Sequence, residues 1–177
     1  MQTLTSARKQ RLGGLLLAAI LAALALGGRS DPAVAQGTVR ATFGDWQIRC
    51  EKPPGSKDEE CKLYKSVASD NRPNTVLHVL VFKSADKKYP LMRILTPPGV
   101  ELDLPLGLTV DDTPIGRVLY KRCVFDACIA EPIIDEALMK QLRSGQTAWF
   151  HIFFTPEDGI SFPVDLKGFS EGFDKLP

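Results

Sequence analysis

The sequence predicts an all-β fold, a sandwich of about eight strands. Three observations predict it. Val100, Leu102, Leu104, Leu106, Leu108 and Val110 take every second position of VELDLPLGLTV. That period lines one face of a strand and would scatter around a helix. Residues 76–82 (VLHVLVF) are apolar apart from His78, which suits a strand covered on both faces. Turn-forming clusters recur at short intervals, including DNRPN at 70–74, TPPG at 96–99 and PEDG at 156–159. A barrel would use the same strands, but the doubly covered run favours a sandwich.

The N-terminal part reads as a targeting segment. Arg8, Lys9 and Arg11 precede an unbroken apolar run of 12 residues, Leu15 to Leu26. Ala33-Val34-Ala35 supplies the small residues of a signal-peptidase site. The run is short for a membrane span, which needs about 20 residues. Residues 1–35 are therefore expected to be a cleaved secretory signal, 36–42 an N-terminal linker and 43–177 a single domain. Cleavage would leave 142 of the 177 residues and shift the formal charge from +1 to −2. That balance gives no basic face for nucleic acid, and no transmembrane segment is expected in the mature chain. Export would carry all four cysteines into an oxidising compartment, where disulfides persist.

The strands follow in order. In DWQIRC (45–50), Trp46, Ile48 and Cys50 share a face. The charged, proline-bearing EKPPGSKDEE (51–60) is a loop, and CKLYKSVA (61–68) resumes the alternation. LMRIL (91–95) precedes the TPPG turn. Pro105 cannot donate to a ladder, so the 100–110 strand is expected to split there or lie at an edge. Residues 115–123 and 128–133 flank VFDA like the arms of a hairpin. Asp135 caps a helix carrying Ala137, Leu138, Met139 and Leu142, with Gly145 expected as its left-handed stop. TAWFHIFF (147–154) and ISFPVDL (160–166) form a hairpin. Phe169, Phe173 and Leu176 are spaced for a short terminal helix, weakened by Gly168 and Gly172.

The residue inventory offers little for catalysis. His78 and His151 sit mid-strand among apolar neighbours, and no zinc-binding histidine spacing or nucleophile elbow occurs. Asp58-Glu59-Glu60 and Asp111-Asp112 fall in turns, where aspartate serves the backbone. No catalytic residue, cofactor or metal set is expected. An enzyme or inhibitor site would have to be assembled from distant positions, for example a pocket joining a histidine to a carboxylate.

Four cysteines permit three pairings. Cys50 ends one strand and Cys61 begins the next; Cys123 and Cys128 face each other across VFDA. Local pairing, Cys50 with Cys61 and Cys123 with Cys128, would staple two hairpins, while crossed pairings such as Cys50–Cys123 stay open. Extended chain would hold Cys123 and Cys128 about 17 Å apart, so VFDA must reverse direction, with Asp126 at a strained corner. Redox dithiols mostly use two-residue spacing at a helix start, and this context differs.

The order of these features resembles the invasion-associated locus B family of exported bacterial proteins. The resemblance rests on Gly44-Asp45-Trp46 with Cys50 and Cys61, Pro97-Pro98-Gly99-Val100, and Leu106-Gly107-Leu108 with Asp111-Asp112. It continues through Cys123 and Cys128, Ala130-Glu131, the Leu138–Leu142 helix, Gly145 and Leu166-Lys167-Gly168-Phe169. Ala127 departs from the expected glycine before the last cysteine. The resemblance implies an immunoglobulin-like β-sandwich, export to the periplasm, with the outer surface or the exterior as further addresses, and a link to host-cell invasion in some pathogens. It implies no active site. The expected function is a non-enzymatic envelope or host-interaction binding module, with a protein, glycan or envelope component as partner. A periplasmic enzyme or inhibitor, and a stress chaperone, are the alternatives. EKPPGSKDEE and TPPG are the candidate contact loops.

Overall fold

The computed structural model describes residues 37–83 and 89–177. The expected signal segment and residues 84–88 lie outside the described residues. Alternating burial makes most of the strands. In β1 (Thr38–Phe43), β2 (Trp46–Glu51), β3 (Glu60–Ala68), β4 (Val76–Lys83) and β5 (Pro90–Thr96), consecutive strands pair antiparallel as a meander. The chain then enters a second sheet through β6 (Leu106–Val110) and β7 (Thr113–Val118). It returns to the first sheet for β8 (Tyr120–Cys123) and β9 (Cys128–Ala130). Helix α1 (Glu136–Ser144) leads back to the hairpin β10 (Thr147–Phe153) and β11 (Gly159–Asp165), and α2 (Phe169–Lys175) ends the fold. The sheet orders are β1-β2-β3-β4-β5-β9-β8 and β11-β10-β6-β7.

The inner faces of both sheets supply one core. Trp46, Leu63, Val81 and Ile94 from the first sheet meet Leu106, Phe150, Ile152 and Phe162 from the second, with Leu142 and Phe169 from the helices. This two-sheet, mainly antiparallel architecture is the expected β-sandwich with a connecting and a terminal helix.

Several expectations change. The described residues form eleven strands. Residues 38–42, expected as linker, form most of β1 and pair with β2. The 100–110 segment does split at Pro105, and only its second half is strand; Leu102, in the turn before it, is exposed. Its alternation holds over 106–110, and Glu101 ahead of it donates its amide to the Phe153 carbonyl at 2.8 Å. The arm expected at 115–123 is divided, since β7 belongs to one sheet and β8 to the other. β4 buries Leu77, Val79 and Val81 inward; on its outer face Leu80 is buried as well, while His78 and Phe82 are half-buried.

Helix α1 begins as its sequence demands: Asp135 Oδ1 accepts the Leu138 amide at 2.8 Å. It does not end on a left-handed glycine. Gly145 has φ −77° and ψ 164°, an extended conformation. Glycine is needed there for space, because a Cβ would lie 2.3 Å from Val110 Cγ1 and 2.9 Å from the Gln141 carbonyl.

The motifs at the two ends of the domain meet. Gly168 has φ 89°, and a Cβ on it would stand 2.1 Å from the Phe43 carbonyl. Trp46 Nε1 donates to the Asp165 carbonyl at 3.0 Å, and its ring packs edge-on to Phe169 at 5.2 Å. Buried Lys65 donates to the same Asp165 carbonyl at 2.9 Å and ion-pairs with Asp45. These residues, read as motif from sequence, fasten the first and last elements of the fold to each other.

Candidate functional site

The structure pairs Cys50 with Cys61 and Cys123 with Cys128. Each pair joins residues directly opposite in the ladder, Cys50 on β2 with Cys61 on β3, and Cys123 on β8 with Cys128 on β9. Cys50, Cys61 and Glu59 stand close enough to suggest a metal group, but both sulfurs are consumed in the disulfide and offer no thiolate.

The two bridges stand at opposite ends of the first sheet. Successive partners run from Cys128 to Thr96 on β5, and His78 beside that row pairs with Leu95 and Ser66. That row lies near the far end of β3 from Cys61, five residues or about 17 Å away. The charged loop 51–60 is therefore remote from VFDA. The TPPG turn begins at Thr96, which is the ladder partner of Cys128. It shares its end of the sheet with VFDA. Of the two contact loops nominated from sequence, the fold brings only TPPG to the second disulfide.

Residues 124–127 form a tight reversal in which the Val124 amide donates to the Ala127 carbonyl at 2.7 Å. Asp126 does not occupy a strained corner: among the described non-glycine residues only Asn74 and Asp111 have positive φ. Ala127 follows from this. With no left-handed residue required, alanine fits, and its side chain is buried. The reversal turns Phe125 fully outward; it is 102 % exposed, and Val124 beside it is exposed too.

One ladder row leads from this loop across the sheet. Ser66, His78, Leu95, Ile129 and Arg122 are successive partners across β3, β4, β5, β9 and β8. The His78 Nδ1 and Tyr64 hydroxyl share a hydrogen bond of 2.8 Å, and the Arg49 guanidinium lies 4.0 Å over the Tyr64 ring. Burial lowers the His78 pKa first, and the Arg49 charge lowers it further. Asp126 acts in the opposite direction, so the clamped loop is electrostatically linked to this histidine. In the adjoining row Glu131 takes ion pairs from Lys121, at 2.9 Å, and from Arg93. The Lys121 hydrogen bond is the main cause holding the Glu131 carboxyl below its ordinary range.

His151 belongs to the other sheet. Its Nε2 lies 3.1 Å from Thr109 Oγ1 and its Nδ1 2.7 Å from Ser161 Oγ. The two histidines are on the outer faces of different sheets. Neither has a carboxylate as hydrogen-bond partner among the described residues. A groove of about 620 Å³ between the start of β5 and the helices is lined by Ile134, Met139, Arg143 and Phe173 and includes neither histidine.

Sequence reasoning missed Arg49, Tyr64 and the Asp126–His78 link. The signal for the first two was present: inward Trp46, Ile48 and Cys50 force Arg49 outward, and Leu63 and Lys65 do the same for Tyr64. The link had no signal, because it joins residues 48 positions apart.

Fold and site together define a disulfide-stapled β-sandwich that displays a clamped hydrophobic loop. Comparison with known proteins narrows the class. The family described as invasion associated locus B (IalB) protein matches residues 46–177, and the chain belongs to that family. It is 26% identical over 143 residues to the invasion protein B homologues of two Brucella abortus strains, 2308 and biovar 1 strain 9-941, covering 78% of this chain and 79% of each relative. The crystal structure of invasion associated protein B from Bartonella henselae shares the fold, with a TM-score of 0.62 and 24% identity over 77% of this chain and 92% of that one.

Proposed function

We propose that this protein is an exported, non-enzymatic binding module acting at the cell envelope or the host interface. Its contact element in this reading is the 124–127 loop with Phe125 at its tip. The observation that carries it is the full exposure of Phe125 on a disulfide-closed reversal. Exposing a phenyl ring to water is unfavourable, and a partner that covers it recovers that cost. The disulfide holds the loop in one shape, so little ordering entropy is lost on binding. Membership of a family named for invasion supports the same direction, as do the homologues that carry the name.

The test is binding of labelled protein to bacterial envelope fractions and to host-cell membranes, with Phe125→Ser beside the wild type. An aromatic hot spot contributes about 2 kcal/mol or more, so saturable binding should weaken by at least about tenfold. Thermal unfolding should be unchanged, because the ring packs on nothing. Equal binding by the two proteins would sink the loop as contact element.

A further inference from the structure

We infer that the outer face of the four-stranded sheet is a second binding site, one for a carboxylated pyranose of a glycan chain. Two ladder rows build it. In the first, Thr109, Trp149 and Pro163 are partners across β6, β10 and β11. In the second, Arg117, Gly107, His151 and Ser161 are partners across β7, β6, β10 and β11. The first row sets the indole of Trp149, 36 % exposed, between Thr109 and Pro163. The second is polar.

Each feature fits a sugar better than a protein surface. The C–H face of a pyranose stacks on an exposed indole, while its hydroxyls need directional donors and acceptors at the edge. Thr109, His151 and Ser161 form a continuous hydroxyl–imidazole–hydroxyl chain beside the indole. The groups are held in place before any ligand arrives, and each hydroxyl can still take a further bond. Gly107 puts no side chain between Arg117 and His151. A Cβ there would meet only the His151 ring and its Cβ at ordinary contact distances, so the glycine is not demanded by packing. It leaves a shallow trough.

Charge selects the sugar. Arg117 is exposed and has no ion-pair partner among the described residues. Neither row holds a carboxylate. Asp165 stands in the next row opposite Thr147, with its Oδ1 accepting the Lys167 amide at 2.8 Å. Arg117 and Trp149 are two strands and two residues apart, about 12 Å between Cα atoms. That span accommodates two linked rings, with one stacked on the indole and a carboxylate reaching the guanidinium fork.

The second tryptophan makes a clean assay. Trp46 is 1 % exposed, so a ligand-dependent change in emission, or shielding from acrylamide, belongs to Trp149. Disulfide-intact protein is titrated with trigalacturonate, with maltotriose as the neutral trisaccharide and triglutamate as a non-sugar polyanion. Trigalacturonate should give a saturable change and shield Trp149. Maltotriose and triglutamate should bind at least about tenfold more weakly, the scale expected for losing a charge-assisted fork or a stacked ring. Calorimetry should show a comparable loss in Trp149→Ala and in Arg117→Ala. Phe125→Ser should bind trigalacturonate like the wild type, which separates this site from the loop. Absence of binding at millimolar sugar, equal binding of maltotriose or triglutamate, or affinity that survives both substitutions would overturn the assignment.

Discussion

His78 carries a pH dependence that its surroundings dictate. In the unfolded chain its imidazole titrates near the ordinary value of 6.5. In the fold, burial and then the Arg49 charge lower that value, and Asp126 offsets only part of the effect. Between the folded value and 6.5 the unfolded chain therefore binds more protons than the native one. Stability contributed by neutral His78 is fully present above pH 6.5 and is lost as pH falls through the folded value. His151 has the same sign from burial alone. Urea unfolding between pH 8 and pH 5, a range of about three units around the histidine pKa, should show stability declining on the acid side. His78→Gln should flatten part of that decline. An unaltered slope would mean that the imidazole is not held neutral by its site.

At the scale of elements, two hairpins are stapled in the same way but for different consequences. The chain-entropy estimate gives about 2 kcal/mol for the small ring at Cys123–Cys128 and about 3 kcal/mol for the larger one at Cys50–Cys61. Only the first closes the Phe125 loop. The double variant Cys123→Ala/Cys128→Ala should thus lose less stability in chemical denaturation yet lose Phe125-dependent binding. Cys50→Ala/Cys61→Ala should show the reverse order, and identical binding losses would deny the loop its special role. Much of these elements was legible: Cys50 and Cys61 at strand ends, the Asp135 cap, and the hairpin across PEDG. The end of α1 was not. Gly145 reads as a left-handed stop because that is glycine's commonest use after a helix, whereas here Val110, 35 residues away, excludes a side chain.

At the largest scale, the first and last elements of the described domain are fastened to each other. Trp46, Lys65, Asp165, Gly168 and Phe169 gather at one place although 123 positions separate the outermost of them. Trp46→Ala would remove the largest buried ring of β2 together with its hydrogen bond to Asp165. A loss of about 3–5 kcal/mol is expected, seen as one cooperative shift in both circular dichroism and near-ultraviolet signals. Loss confined to α2, with the sheets melting as before, would show that the closure is peripheral.

By itself the sequence determined the class of the fold, because period-two burial, turn clusters and a capped helix are local signals set by backbone geometry. It also determined which residues share a face: Trp149 with His151, and Trp46 with Cys50. The tertiary structure decided which strands adjoin and which way the loops turn. It divided 113–123 between two sheets, sent His78 and His151 to separate outer faces, placed TPPG beside the second disulfide and left Phe125 in water. Those outcomes depend on contacts between residues far apart in the chain, whose pairing is settled by the burial of the whole core and not by any neighbouring residue.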